Sequence, residues 1–272
     1  MIPISVIMLT KNEILNVAHS LPPLVQNFDD VHVVDSNSTD NTEETAQNIG
    51  AKISQFTWNN QYPKKKQWAL DNLPLKHDWV LMIDADEIIT DAFINELRGV
   101  DFEADGYFIT SEMIWNDAHL KHGMKNNKLC LFKKSSFHFE TVDDLDIDGG
   151  WEVEGHYQPV IKSNINATID QIKSPIIHHD HKGNWQSRHD NYIAWESGMN
   201  ARNAWPVDPL FKREFVKDLF RGSFLKPYIY FFYGYIIKGG FLDKKPGLDY
   251  AFKRFTYNRN IVRAIPQTKK TA

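Results

Sequence analysis

Apolar and polar positions alternate in short blocks along the first hundred residues. ISVIMLT (4–10), VHVVD (31–35), AKISQF (51–56) and WVLMID (79–84) are apolar or β-branched runs of strand length. Runs of this kind without a polar face are the pattern of strands buried on both sides. Between them, residues 13–27, 39–49 and 64–73 carry helical spacing, the second opened by Ser38 or Thr39 as a capping residue. The alternation predicts an α/β fold with a mostly parallel, doubly wound central sheet flanked by helices. Ligands of such a sheet bind beyond the carboxyl ends of its strands. Here those ends are residues 10–13, 35–40 and 84–87.

After Gly106 the pattern turns to strands and loops: GYFITSEMIW, KLCLFKK, then the Gly- and Asp-rich DDLDIDGGWEVEGHYQPVI. These predict the second half of the sheet and a region facing the acceptor. Helical periodicity returns at Trp185 and continues almost to the end, with expected breaks at Pro206, Pro227 and Pro246. The division expected is a catalytic domain over 1–184 and a helical appendage over 185–272, with no internal repeat and no low-complexity linker.

Composition narrows the class. With 272 residues, 42% hydrophobic and 24% charged, the chain can bury a sizeable core. Cys130 is the single cysteine, which excludes an intramolecular disulfide and a cysteine-based zinc cluster and fits a reducing, cytoplasmic setting. The opening MIPISVIMLTKNE has no basic stretch ahead of a long apolar one, so it reads as a buried strand and not as a secretion signal. The net charge of −4 hides an asymmetry: residues 1–199 hold 16 Lys+Arg against 30 Asp+Glu, and residues 200–272 hold 15 against 5 together with 16 of the 35 aromatic residues. Basic charge interleaved with aromatic rings points to an anionic membrane surface at the inner face. Nucleic acid is the weaker reading, because the rings follow helical spacing and no recognised module is present.

Chemistry concentrates at the strand ends. Asp84-Ala85-Asp86-Glu87 follows five apolar residues, and carboxylates two apart at a strand exit suit a divalent cation, magnesium or manganese, and the diphosphate it holds. An isolated motif of this kind is more often a solvated acidic turn; position after the fourth strand is what makes it informative. Asp35-Ser36-Asn37-Ser38-Thr39-Asp40 occupies the matching edge of the second strand. An ordinary Asx turn with a helix cap explains Ser38 and Thr39 but does not require Asp35. Thr10-Lys11-Asn12-Glu13 completes the rim.

The order of TKNE, VVDSNSTDNT and KKKQWALDNLPLKHDWVLMIDADE resembles the family-2 inverting glycosyltransferases of GT-A fold, within them the bacterial lipopolysaccharide-core and surface-polysaccharide β-glycosyltransferases. The resemblance extends over residues 2–90, is weaker over 106–200 and returns in YIIKGGFLDKKPGLDYAFKR. It implies a nucleotide-sugar donor, UDP-linked, and a saccharide or lipid-linked acceptor. It further implies that Thr10, Asn12, Glu13 and Asp35 surround base and ribose, that Asp84 lies near ribose or metal with Ala85 beside it, and that Asp86 binds the metal. Lys64, Lys65, Lys66 and Gln67 fall where relatives carry a basic residue followed by Asn; Lys66 is the first candidate for the nucleotide, and Gln67 departs from the pattern. A later histidine is implied to complete the metal site, His178 first and His181 second.

An inverting reaction needs one base to take the proton of the attacking hydroxyl. The family resemblance points to WEVEGHY, where Gly155 stands at the usual glutamate position and leaves Glu154 or Glu152 to act, with Asp143 and Asp144 as runners-up. Two other classes compete: a non-catalytic module binding nucleotide-sugar or acceptor in a polysaccharide assembly complex, and a nucleotidyltransferase, whose glycine-rich loop is missing from TKNEILN. In the appendage, Phe211, Phe215, Leu219 and Phe220 share a helical face flanked by Lys212, Arg213, Lys217 and Arg221. The grammar is that of a helix lying in a membrane interface or, alternatively, of a helical cap or homodimer contact.

Overall fold

The computed structural model describes residues 1–148, 150–179 and 185–268. The chain forms two compact units, one of residues 1–112, 126–139 and 152–183, the other of 113–125, 140–151 and 184–272.

The first unit is built on the expected alternation: β1 (Ile2–Thr10), α1 (Ile14–Asn27), β2 (Phe28–Asp35), α2 (Thr42–Ile49), β3 (Lys52–Gln55), α3 (Lys65–Asn72) and β4 (Trp79–Asp84). Then come β5 (Glu87–Ile88), α4 (Asp91–Gly99), β6 (Gly106–Trp115), β8 (Asn126–Lys133), β9 (Phe137–His138), β10 (Val160–Ile161) and β11 (Ile169–His178), while β7 (Ala118–Leu120) falls in the second unit. The sheet runs β3-β2-β1-β4-β8-β6-β11-β5. Its first four strands are mutually parallel, and β8 turns the sheet antiparallel at β4. The central sheet is therefore mixed, parallel where the crossover helices are and antiparallel where they stop. β1 and β4 are covered on both faces, with Ile4, Val6, Ile7, Met8, Val80, Leu81 and Ile83 all buried, as their unbroken apolar runs require.

α2 begins at Thr42, and its N-cap Asn41 makes no side-chain cap bond. Ser38 and Thr39 do not cap it, because the Ser38 hydroxyl donates to Asp35 at 2.5 Å and the Thr39 N–H donates to Asn12 Oδ1 at 2.7 Å. The helix ends on Gly50 at φ 109°, a left-handed conformation that glycine adopts at no steric cost.

In the second unit, α5 (Trp185–Arg202), α6 (Phe211–Phe220), α7 (Lys226–Phe231), a π-helical turn (Phe232–Ile237), a 3-10 turn (Gly240–Asp243) and α8 (Lys244–Thr268) follow one another. Pro227 and Pro246 fall in the first turns of α7 and α8 instead of breaking helices, where the missing N–H costs nothing. The buried Trp195 is central: its indole donates to Asp144 at 2.8 Å, and Trp151 and Trp205 pack on it with centroids at 5.2 and 5.3 Å. At Gly198 an added Cβ would lie 2.4 Å from Ile147, so only glycine lets that loop approach α5.

Candidate active site

Register brings the predicted strand ends together. Thr10 pairs with Asp35 across β1 and β2, and Leu9 pairs with Asp84 across β1 and β4. Thr10 Oγ1 donates to Asp35 Oδ1 at 2.8 Å, while the Ser38 N–H donates to Asp35 Oδ2 at 2.7 Å. Asp35 is fully buried, so it organises its own loop first; a carboxylate with about four acceptor positions can still take a further donor. Asn12, at φ 54°, knits the first loop to the second through Thr39, and the Glu13 N–H donates to Thr42 Oγ1 at 2.8 Å. The Glu13 carboxylate accepts from Asn16 at 2.7 Å. TKNE and DSNSTDNT thus form one hydrogen-bonded rim.

The three lysines divide. Lys64 is buried, its amine 5.8 and 5.4 Å from the ring centroids of Trp58 and Tyr62. Lys65 is also buried and donates to the Thr10 carbonyl at 2.7 Å. Burial pushes its amine down to about 8, against the pull of Glu152 and Asp35. Lys66 donates from its amine to the Glu154 carbonyl at 2.9 Å, and its charge helps keep Asp84 ionised. Gln67, the departure from the family pattern, accepts from the Phe139 N–H at 2.8 Å and donates to Asp71 at 2.8 Å.

The two glutamates occupy different environments. Glu154 is fully buried, and its two oxygens accept the backbone N–H groups of Lys66 at 2.7 Å and Gln67 at 3.0 Å. Burial raises its carboxyl, and those N–H groups oppose the rise. Glu152 keeps a side chain 13% exposed and lies 3.6 Å from both Lys11 and Lys65. The runner-up Asp144 accepts the Trp195 indole, and Asp143 stands 3.5 Å from Arg202.

At the end of β4, Lys128 on β8 was not anticipated. Its amine lies 2.6 Å from Asp84 and 2.6 Å from Glu87. Desolvation works to raise the Asp84 carboxyl; Lys128, Lys66 and His178 overcome it and hold the group well below the usual carboxylate range. Glu87, almost fully buried, also accepts the Ser111 hydroxyl at 3.1 Å. A lone lysine heading the apolar run KLCLFK was the available signal, since a charged residue entering a buried strand needs a partner. Cys130 on the same strand is buried, which pushes its thiol up to about 12 and leaves it chemically inert.

Asp86 and His178 face each other, Oδ2 to Nε2, at 3.5 Å, with Ala85 buried between the two aspartates. They meet because β11 pairs with β5, His178 opposite Glu87, and the His179 N–H donates to the Asp86 carbonyl at 2.8 Å. His181 lies outside the described residues. Among the described residues, no three His, Cys, Asp or Glu side chains form a complete metal-binding set. Carboxylate and imidazole side by side nevertheless fit a divalent ion that takes its other ligands from phosphate and water; the imidazole suits manganese better than magnesium, which favours oxygen ligands. Among the described residues, no helix is long and apolar enough to cross a membrane.

Residues 5–111, from β1 into β6, match the family model of Glycosyl transferase family 2. An uncharacterized glycosyltransferase of Rickettsia felis is 37% identical over 95 residues, 35% of this chain and 32% of the relative. One from Rickettsia conorii is 39% identical over 95 residues, 35% of this chain and 33% of the relative. The aligned stretch spans about a third of the length of these curated relatives. Among solved structures, glucosyl-3-phosphoglycerate synthase from Mycobacterium tuberculosis in complex with Mg2+ and uridine diphosphate is 27% identical, covering 40% of this chain and 43% of that one, with a TM-score of 0.31.

Proposed function

We propose that the chain transfers a sugar, with inversion, from a UDP-linked donor to a saccharide acceptor carried on a lipid or lipopolysaccharide at the cytoplasmic face of a membrane. The observation that carries this reading is the convergence of the Thr10–Asp35 pair and Asp84 at adjacent parallel strand ends, with Asp86 and, from antiparallel β11, His178 beside each other just past Asp84. The family-2 match over the same strands supports it.

In this reading Thr10, Asn12, Glu13 and Asp35 form the nucleoside end, with Lys65 beneath them. Lys66, close enough to act on Asp84, meets the diphosphate. Asp86 and His178 hold a divalent cation, which when bound supplies positive charge against the departing diphosphate. Lys128 neutralises Asp84 and Glu87 and so fixes the strand end in one geometry. The acceptor hydroxyl attacks the anomeric carbon opposite the diphosphate and gives its proton to a carboxylate. Glu152 takes that role because its side chain retains solvent access, whereas Glu154 has both oxygens on backbone N–H groups.

The test is a thermal-shift panel of UDP- and GDP-sugars with and without manganese, because a ligand that binds only the native state raises the melting temperature with its affinity. A shift with a UDP-sugar that grows with manganese is expected. No shift with any nucleotide sugar would contradict the reading.

A further inference from the structure

Among the described residues, nineteen large apolar side chains are exposed, and fifteen of them lie between Val207 and Phe252. On α6, Phe211, Phe215 and Leu219 recur every fourth residue with Val216 beside them, and they are 82%, 62%, 62% and 54% exposed. The opposite side of the helix carries its ion pairs, all within residues 208–221: buried Asp208 pairs with Arg213 at 3.2 Å and Lys217 at 2.5 Å, and Glu214 pairs with Arg221 at 2.6 Å. The turn that follows exposes Phe224 and Leu225. Along α7 and the π-helical turn, Pro227 and Gly234 face inward, and a Cβ at Gly234 would meet Met124 at 3.4 Å. Tyr228, Phe232, Ile236 and Ile237 are left exposed, as are Phe241 and Leu242 after them. α6 thus keeps its ion pairs on one side and its apolar residues exposed on the other, and α7 with the π-helical turn buries Pro227 and Gly234 and leaves its large apolar residues exposed, the reverse of a solvated helix.

Charge accompanies this surface. Among the described residues of 185–268, Lys212, Lys238, Lys244, Lys245, Lys253, Arg259 and Arg263 are exposed, against the exposed carboxylates Asp190 and Asp218. α7 and the π-helical turn together run only from Lys226 to Ile237, which at about 1.5 Å per residue falls well short of a bilayer's hydrocarbon core of about 30 Å.

We propose that this face is a monotopic docking surface for an anionic phospholipid bilayer. Phe211, Phe215, Phe224, Phe232 and Ile237 enter the headgroup and acyl boundary, and the lysines bind the headgroups. Charge complementarity selects this occupant over a second copy of the chain, because a two-fold contact through the same face would set these cations against their own counterparts. The surface deepens the functional reading, which supplies the lipid-borne acceptor, but membrane binding is measured without donor or acceptor, so either can fail alone.

The experiment is flotation of the full chain with vesicles of phosphatidylcholine alone or with 30% phosphatidylglycerol (about one anionic lipid in three), at low and high salt. The triple variant Phe211→Ser/Phe215→Ser/Phe224→Ser is run beside it, its fold checked by circular dichroism. Binding to the anionic vesicles, weakened by salt and at least about tenfold weaker in a folded triple variant, is expected, by analogy with the transfer cost of losing buried aromatic area. A wild-type protein that stays at the bottom of the gradient with anionic vesicles overturns the proposal. So does binding that a folded triple variant retains in full. A lipid-free dimer that this variant dissociates, without wild-type flotation, assigns the face to a second copy and equally overturns it.

Discussion

Lys66 donates its backbone N–H to the Glu154 carboxylate at 2.7 Å, so a residue 88 positions further along the chain caps the helix that carries the lysine cluster. This contact gives the two glutamates of WEVEGHY separate work. Glu152→Gln is expected to lower kcat by about 10²–10⁴-fold, the range for a lost general base, with donor affinity nearly unchanged. Glu154→Ala is expected to destabilise the fold by about 1–2 kcal/mol through the lost cap. Steady-state kinetics beside urea denaturation separates them, and normal turnover in Glu152→Gln would move the base to another carboxylate, Asp143 or Asp144 first.

The Lys65 amine, pushed down by burial from 10.5 to about 8, makes stability depend on pH. Between those values the unfolded chain binds a proton that the folded chain does not, so stability should rise as pH increases across the window. Below about 8 both states are protonated and the full cost of burying the charge is felt. The rise attributable to this group is on the order of 3 kcal/mol. Urea denaturation at pH 7.5, 9 and 10.5 should therefore show a steeper rise for the wild type than for Lys65→Met; parallel curves would contradict the assignment.

At the other end of the sheet, buried Asp30 accepts Ser5 Oγ at 2.5 Å, Lys52 Nζ at 2.5 Å and the Lys76 N–H at 2.8 Å, and lies 2.9 Å from His32. Burial works to raise its carboxyl, but these partners hold it well below the usual range. Stability from this group is thus present above the unfolded carboxyl value near 4 and is lost as pH falls below it. Asp30→Asn is expected to cost on the order of 2–3 kcal/mol at pH 7, because it leaves buried donors short of a charged acceptor. The deficit should shrink toward pH 3, and a constant deficit in a pH series of chemical melts would argue against it.

The parallel half of the sheet was legible because its strands are buried on both faces and carry unbroken apolar runs, and the rim because Thr10, Asp35 and Asp84 end those runs. The corrected capping of α2 shows where local rules stop. Ser38 has the right chemistry for a cap, but Asp35 competes for its hydroxyl from the neighbouring strand end. Lys128 was missed for a related reason: its partners lie on β4 and β5, more than forty positions earlier, and one lysine heading a strand carries no spacing signal. That Glu154 gives both oxygens to α3 is not visible in the sequence, because nothing near it in the chain announces that helix 88 positions earlier. The apolar face of α6 is visible in the sequence as a stripe; that it points outward is seen only in the exposure of Phe211, Phe215 and Leu219.

Asp86 faces His178 at 3.5 Å just past the end of β4. The decisive measurement is UDP release from UDP-sugars by wild-type and Asp86→Ala protein over a manganese titration, with the fold of the variant confirmed by circular dichroism. The wild type is expected to release UDP in a manganese-dependent manner. The folded variant should lose at least about a hundredfold of that rate, the scale seen when a group stabilising a developing negative charge is removed. A folded Asp86→Ala protein that keeps the wild-type rate and manganese dependence would contradict the central claim.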